Sequence, residues 1–145
     1  MKKIAIAAII ALSAFSVNAE DKVVAFTSLP QAAQQFANAN FKGKQVASAQ
    51  MDTSLFGAIT DGYKIVYTDG TEIEFDSDGN WTEIKAKTSA VPADLVPERI
   101  SKYVKENFKA STIVCIEKKS KGFKVKLASG QELKFDPNYI FIGLD

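Results

Sequence analysis

"DGYKIVYTDGTEIEFDSDGNW", residues 61–81, alternates apolar and polar side chains on either side of a turn. Tyr63, Ile65 and Tyr67 alternate with Lys64, Val66 and Thr68, and Ile73 and Phe75 alternate with Glu72 and Glu74. Successive side chains of a strand point to opposite faces, so the stretch reads as two half-buried strands. Facing residues must share a face, which puts Ile65 opposite Ile73 and Tyr63 opposite Phe75. A two-residue Asp69-Gly70 turn would set Tyr67 against Glu72 and break the match. A three-residue loop, Thr68-Asp69-Gly70 with Gly70 left-handed, restores it. The outer face then carries Lys64 opposite Glu74.

The same pattern returns as "KGFKVKLASGQELKFDPNYIF", residues 121–141. Gly130, Glu132, Phe135 and Asp136 repeat Gly70, Glu72, Phe75 and Asp76. The equivalent register pairs Val125 with Leu133 and Phe123 with Phe135. It also places Lys126 opposite Glu132 and Lys124 opposite Lys134, the last a like-charge pair suited only to a solvated face. Upstream, "LPQAAQQFANANFKGKQV" (29–46) matches "VPERISKYVKENFKASTI" (96–113). Each reads as a short helix: Ser28 can cap the first, with Pro30 in its first turn and Gly43 beyond its end. In the second, Val96, Ile100, Tyr103 and Val104 form one apolar stripe. The prolines of "VPADLVP" (91–97) discourage a continuous helix between them.

These patterns predict an α+β fold made of a tandem repeat, each copy one helix packed on a four-stranded antiparallel sheet. The expected copies cover about residues 28–87 and 95–145. Strands are expected near 45–51, 62–68, 71–76 and 81–86, then 112–118, 122–128, 131–136 and 139–144. "MDTSLFGAITDG" (51–62) interrupts the first copy where the second needs only a short turn.

"MKK" followed by "IAIAAIIALSAF" and "VNA" has the charged, apolar and small-residue regions of a signal peptide, with cleavage expected after Ala19. Residues 20–145 then form a single exported domain, periplasmic in a Gram-negative cell, with no later apolar run fit to enter a membrane. Removing Lys2 and Lys3 from the 18 basic residues leaves 16 against 17 acidic ones, which gives no electrostatic reason to bind nucleic acid. Cys115 is the single cysteine, so no intramolecular disulfide forms. The chain has no histidine, which removes Ser-His-Asp and Cys-His catalysis and most zinc sites.

Asp76, Asp78 and Asn80 have the 1-3-5 spacing of a calcium loop, but Trp81 stands where glycine is needed and Lys87 where a bidentate glutamate is needed. A tight turn uses the same residue types and explains them better. Glu72, Glu74 and Asp76, with Glu83 nearby, could suggest paired carboxylates, but Glu72 and Glu74 suit a solvated strand face better. Trp81 reads as core-facing, with an exposed recognition platform as the rival. Leu55, Phe56 and Ile59 sit on a segment the repeat does not require, which makes them candidate partner contacts, with folding back over the sheet edge or filling a gap between the copies as the rival reading.

The pieces "DGTEIEFDSDGNW" and "LVPERISKYVKENF" resemble the PepSY-like, putative beta-lactamase-inhibitor-like periplasmic proteins. That resemblance implies a fold like that of secreted beta-lactamase inhibitors, with helices on one face of the sheet, and no catalytic residues or cofactor. The expected function is a non-enzymatic binding module for another envelope protein, touching it through Leu55, Phe56, Ile59 and Trp81. The alternative is a small-molecule or calcium-binding protein using Asp76, Asp78 and Asn80.

Overall fold

A computed structural model describes residues 21–108 and 112–145. The expected signal peptide lies outside the described residues. Nine strands run in sequence order through an antiparallel sheet: β1 (Asp21–Val24), β2 (Val46–Ser54), β3 (Ile59–Tyr67), β4 (Glu72–Asp76), β5 (Trp81–Lys85), β6 (Ile113–Lys119), β7 (Gly122–Leu127), β8 (Glu132–Phe135) and β9 (Phe141–Leu144). Among the described residues there are two α-helices, α1 (Gln31–Asn40) and α2 (Glu98–Asn107).

This corrects the expected tandem repeat of one helix on a four-stranded sheet. Residues 21–24 form a strand that pairs with β2, through Val24↔Ala49 and Asp21↔Asp52. Residues 81–85, expected to close the first copy's sheet, pair with β6 through Ile84↔Ile116 and Lys85↔Cys115, so they do not end a sheet. A strand edge exposes unpaired backbone groups, and continued pairing satisfies an edge that a separate small sheet would leave open. The chain divides into two compact units, one ending at Trp81 and the other beginning at Thr82.

In the first unit, α1 buries Ala33 and Ala37 at an i, i+4 spacing, where small side chains let the helix lie close to the sheet. Phe36 meets Phe75 edge-on at 6.1 Å, and Phe41 stacks on Tyr67 at 5.6 Å. In the second unit, α2 buries Ile100 and Val104. Tyr103 stacks on Phe141 at 4.7 Å and meets Phe135 edge-on at 5.8 Å. Ten residues make a marginal helix in water, so these contacts hold each one in place. Pro30, not Ser28, is the N-cap of α1, and no side chain caps it. Ser28 closes a short 3-10 turn over Phe26–Ser28. At the other end, the Asn40 and Asn107 amides donate to the Phe36 and Tyr103 carbonyls at 2.9 Å, tying each side chain back onto the last turn of its helix.

The hairpin registers are those the alternation requires. Ile65 faces Ile73, Tyr63 faces Phe75 and Lys64 faces Glu74. Val125 faces Leu133, Phe123 faces Phe135, Lys126 faces Glu132 and Lys124 faces Lys134. Both loops have three residues: Tyr67 N–H bonds the Thr71 carbonyl at 2.8 Å and Leu127 N–H the Gln131 carbonyl at 2.9 Å, with Gly70 and Gly130 at φ +92° and +98°.

Candidate functional site

Residues 51–62 do not form a loose insertion. Their own alternation lengthens β2 to Ser54 and starts β3 at Ile59, with Ser54 facing Ile59 and Thr53 facing Thr60. The hairpin turns over Leu55, Phe56, Gly57 and Ala58. Gly57 N–H donates to the Ser54 carbonyl and Ala58 N–H to the Leu55 carbonyl, each at 3.1 Å. These two consecutive turns place Leu55 at φ +50°, Phe56 at φ +57° and Gly57 at φ +88°. Left-handed backbone brings Cβ against the next carbonyl and suits glycine or asparagine, not leucine or phenylalanine.

The tip is also bare. Leu55 is 63% exposed, Phe56 is fully exposed and Ile59 is half exposed. Around it stand Ser54, whose hydroxyl donates to Asp61 at 3.3 Å, and Lys22 of β1, whose Nζ lies 3.5 Å from where a Cβ on Gly57 would stand. Sequence reasoning found the apolar residues but not the strained backbone that presents them, because neither Leu nor Phe signals a turn.

Trp81 is placed apart from this tip. It is half-buried and stacked against Phe36 of α1, with centroids 6.2 Å apart and rings 28° from parallel, on the helix side of the sheet. The structure therefore brings Leu55, Phe56 and Ile59 together and leaves Trp81 as a packing residue of the first unit.

The Asp76–Asn80 segment is a turn held by its first residue. Asp76 Oδ1 accepts the Asp78 and Asn80 backbone N–H groups at 3.0 and 2.9 Å. The Asn80 N–H, foremost, holds the carboxyl below its ordinary range. Asp136 Oδ1 accepts the Asn138 and Ile140 backbone N–H groups in the second hairpin, at 2.8 and 2.9 Å. Tyr139 occupies the left-handed position of that second turn at φ +68°, its ring packed on Phe123 at 5.3 Å. Among the described residues, no group of three or more Cys, Asp or Glu is placed to hold a metal ion. Glu72 and Glu74 lie on the face turned away from α1, where Lys64 Nζ approaches them at 3.9 and 3.7 Å. Cys115 is half-buried and donates its thiol proton to Glu83 at 3.2 Å. Burial, and then that carboxylate, push the thiol up to about 12, so it stays protonated and unreactive.

No curated protein matches this chain significantly. The sequence pattern of the family described as "Putative beta-lactamase-inhibitor-like, PepSY-like" matches residues 61–143. Three solved structures share the fold. One, from Bacteroides thetaiotaomicron, is called a putative calcium-regulated periplasmic protein; it is 37% identical, with a TM-score of 0.81 over 86% of this chain and 96% of its own. A putative periplasmic protein from Bacteroides vulgatus is 38% identical, with a TM-score of 0.80 over 89% and 99%. A second from that organism, described as of unknown function, is 36% identical, with a TM-score of 0.79 over 86% and 98%. No helix among the described residues is long and apolar enough to cross a membrane. Carrying the family's pattern across both hairpins of matched register, and aligned along nearly the full length of these relatives, the chain belongs to the PepSY-like, putative beta-lactamase-inhibitor-like family.

Proposed function

We propose that this protein is an exported, periplasmic, non-enzymatic binding module that docks on another envelope protein through the tip of the β2–β3 hairpin. One observation carries the reading: two large apolar side chains, Phe56 wholly and Leu55 mostly exposed, on left-handed backbone. Strain of that kind persists where the strained conformation has a use. Leu55 and Phe56 are the anchors and Ile59 extends the patch, giving the rigid apolar centre that protein interfaces rely on. The likeness to beta-lactamase inhibitors and the periplasmic relatives support the same reading.

Binding to tagged residues 20–145, captured from the native envelope fraction and identified by mass spectrometry, tests it. A partner held by the parent chain and lost with Leu55→Ser/Phe56→Ser is expected. An equally folded double variant that keeps the partner refutes the assignment. Calcium is the second reading, favoured by the name of the thetaiotaomicron relative. The Asp76 carboxylate is already spent on its own turn, so calorimetric titration with calcium is expected to show no heat removed by Asp78→Asn.

A further inference from the structure

Residues 129–145, "SGQELKFDPNYIFIGLD", echo residues 69–85, "DGTEIEFDSDGNWTEIK", position for position, and the backbone keeps the match. Asp76 N–H bonds the Asn80 carbonyl and Asp136 N–H the Ile140 carbonyl, each at 2.8 Å. Trp81 stacks on Phe36 of α1 as Phe141 stacks on Tyr103 of α2. β9 is thus the counterpart of β5, with Leu144 in the place of Ile84 and Ile142 in the place of Thr82.

The two differ in what lies beyond them. β6 pairs with β5, and Ile84, facing Ile116, is 0% exposed. The strand order ends at β9; among the described residues no strand pairs with its far edge, and Leu144 is 55% exposed. An uncovered edge should be the more polar of the two, yet it is the less polar. Gly79, Asn80 and Thr82 correspond to Tyr139, Ile140 and Ile142, all exposed, and Glu83 corresponds to Gly143. Tyr139–Leu144 holds no charge and no proline. β1, at the other end of the strand order, carries Asp21 and Lys22, charges of the kind that guard an edge. β9 keeps only its four-residue length and one register shift against β8. An apolar strip of this kind on an open edge marks an interaction site.

We infer that the open edge of β9 pairs with β9 of a second copy of this chain, antiparallel and about a two-fold axis. β5 shows what the edge takes: an antiparallel strand that sets an apolar residue against the one at the place of Leu144. β9 is itself such a strand. In the two-fold contact the uncharged residues of Tyr139–Leu144 meet one another, and both open edges close at once. A head-to-tail contact with β1 would instead bring Asp21 and Lys22 onto the apolar strip. One short strand per copy lies at the low end of specific interfaces, below about 1,200 Å² in total, so the dimer is weak and reversible. The inference does not rest on the hairpin tip and survives the loss of that reading.

Sedimentation velocity of residues 20–145, from about 1 μM to about 1 mM, tests it. Monomer is expected at the low end and dimer at the high end, with no larger species. Ile142→Glu, at an exposed position and checked for folding by circular dichroism, is expected to weaken the dimer about tenfold or more, because it places a charge in the apolar strip. Leu55→Ser/Phe56→Ser is expected to leave the dimer unchanged. Amide hydrogen exchange over residues 141–144 should slow as concentration rises, while that over residues 55–58 should not. Monomer at every concentration overturns the inference, as do open-ended oligomers, a dimer that survives in folded Ile142→Glu, a dimer lost with the tip variant, or exchange over 141–144 that ignores concentration.

Discussion

Replacing Leu55-Phe56 by Asn-Gly is expected to stabilise the fold while abolishing partner capture. Each residue that is not glycine costs about 1–2 kcal/mol in left-handed backbone, and Asn-Gly is the pair such hairpin turns prefer. Little is lost in exchange, because both side chains are in water in the folded state. The added glycine costs the unfolded chain's extra freedom, about 0.5–1 kcal/mol. The net gain is roughly 1–3 kcal/mol, or about 3–5 °C in Tm per kcal/mol for a chain of this size. Urea unfolding reads it as a higher midpoint at unchanged slope. An unchanged or lower midpoint would mean that the tip stores no strain, and the argument from strain to function would fall with it.

Gly122→Ala is expected to lower stability by about 3 kcal/mol in the same urea assay, because the new Cβ would stand 2.0 Å from the Phe135 carbonyl oxygen on backbone at φ +134°. Asp69 is held at about 2, below its ordinary 3.8, by the Lys44 ammonium first and the Thr71 N–H next. A depressed carboxyl stabilises the fold above its unfolded pKa and loses that contribution as pH falls through the folded one. Urea midpoints should therefore drop between about pH 4 and pH 2, and Asp69→Asn should flatten that limb. Cys115 in the native chain should react with a disulfide reagent at pH 8 roughly a thousandfold more slowly than in the urea-unfolded chain, following its thiolate fraction. Equal rates would show the thiol to be open.

The sequence was most informative where one physical rule left a single answer. Strand side chains alternate and one face is buried, so a slip of one residue in β3–β4 would bury Glu72 and Glu74 and expose Ile73 and Phe75. That rule settles register and loop length. It says nothing about what lies on a strand's other edge, and this is why residues 81–85 were taken as the end of a sheet and their pairing with β6 was missed. β1 was missed because "DKVV" is four residues long with no alternation, and its partner lies beyond a helix. The tip residues were marked by apolarity alone, while their backbone depends on how β2 and β3 extend.

The strand order has a further consequence. Every strand lies beside its sequence neighbour, so no segment must wait for a distant one before its backbone groups are paired. The β2–β3, β3–β4, β6–β7 and β7–β8 hairpins close over a few residues each, and the longest closures, β1 to β2 and β5 to β6, span a connection that carries one helix. Loop-closure entropy rises with the length enclosed, and folding slows as contacts become more distant in sequence. A chain delivered N-terminus first through a membrane pore could thus add strands in the order they emerge, each new one finding its template already laid down.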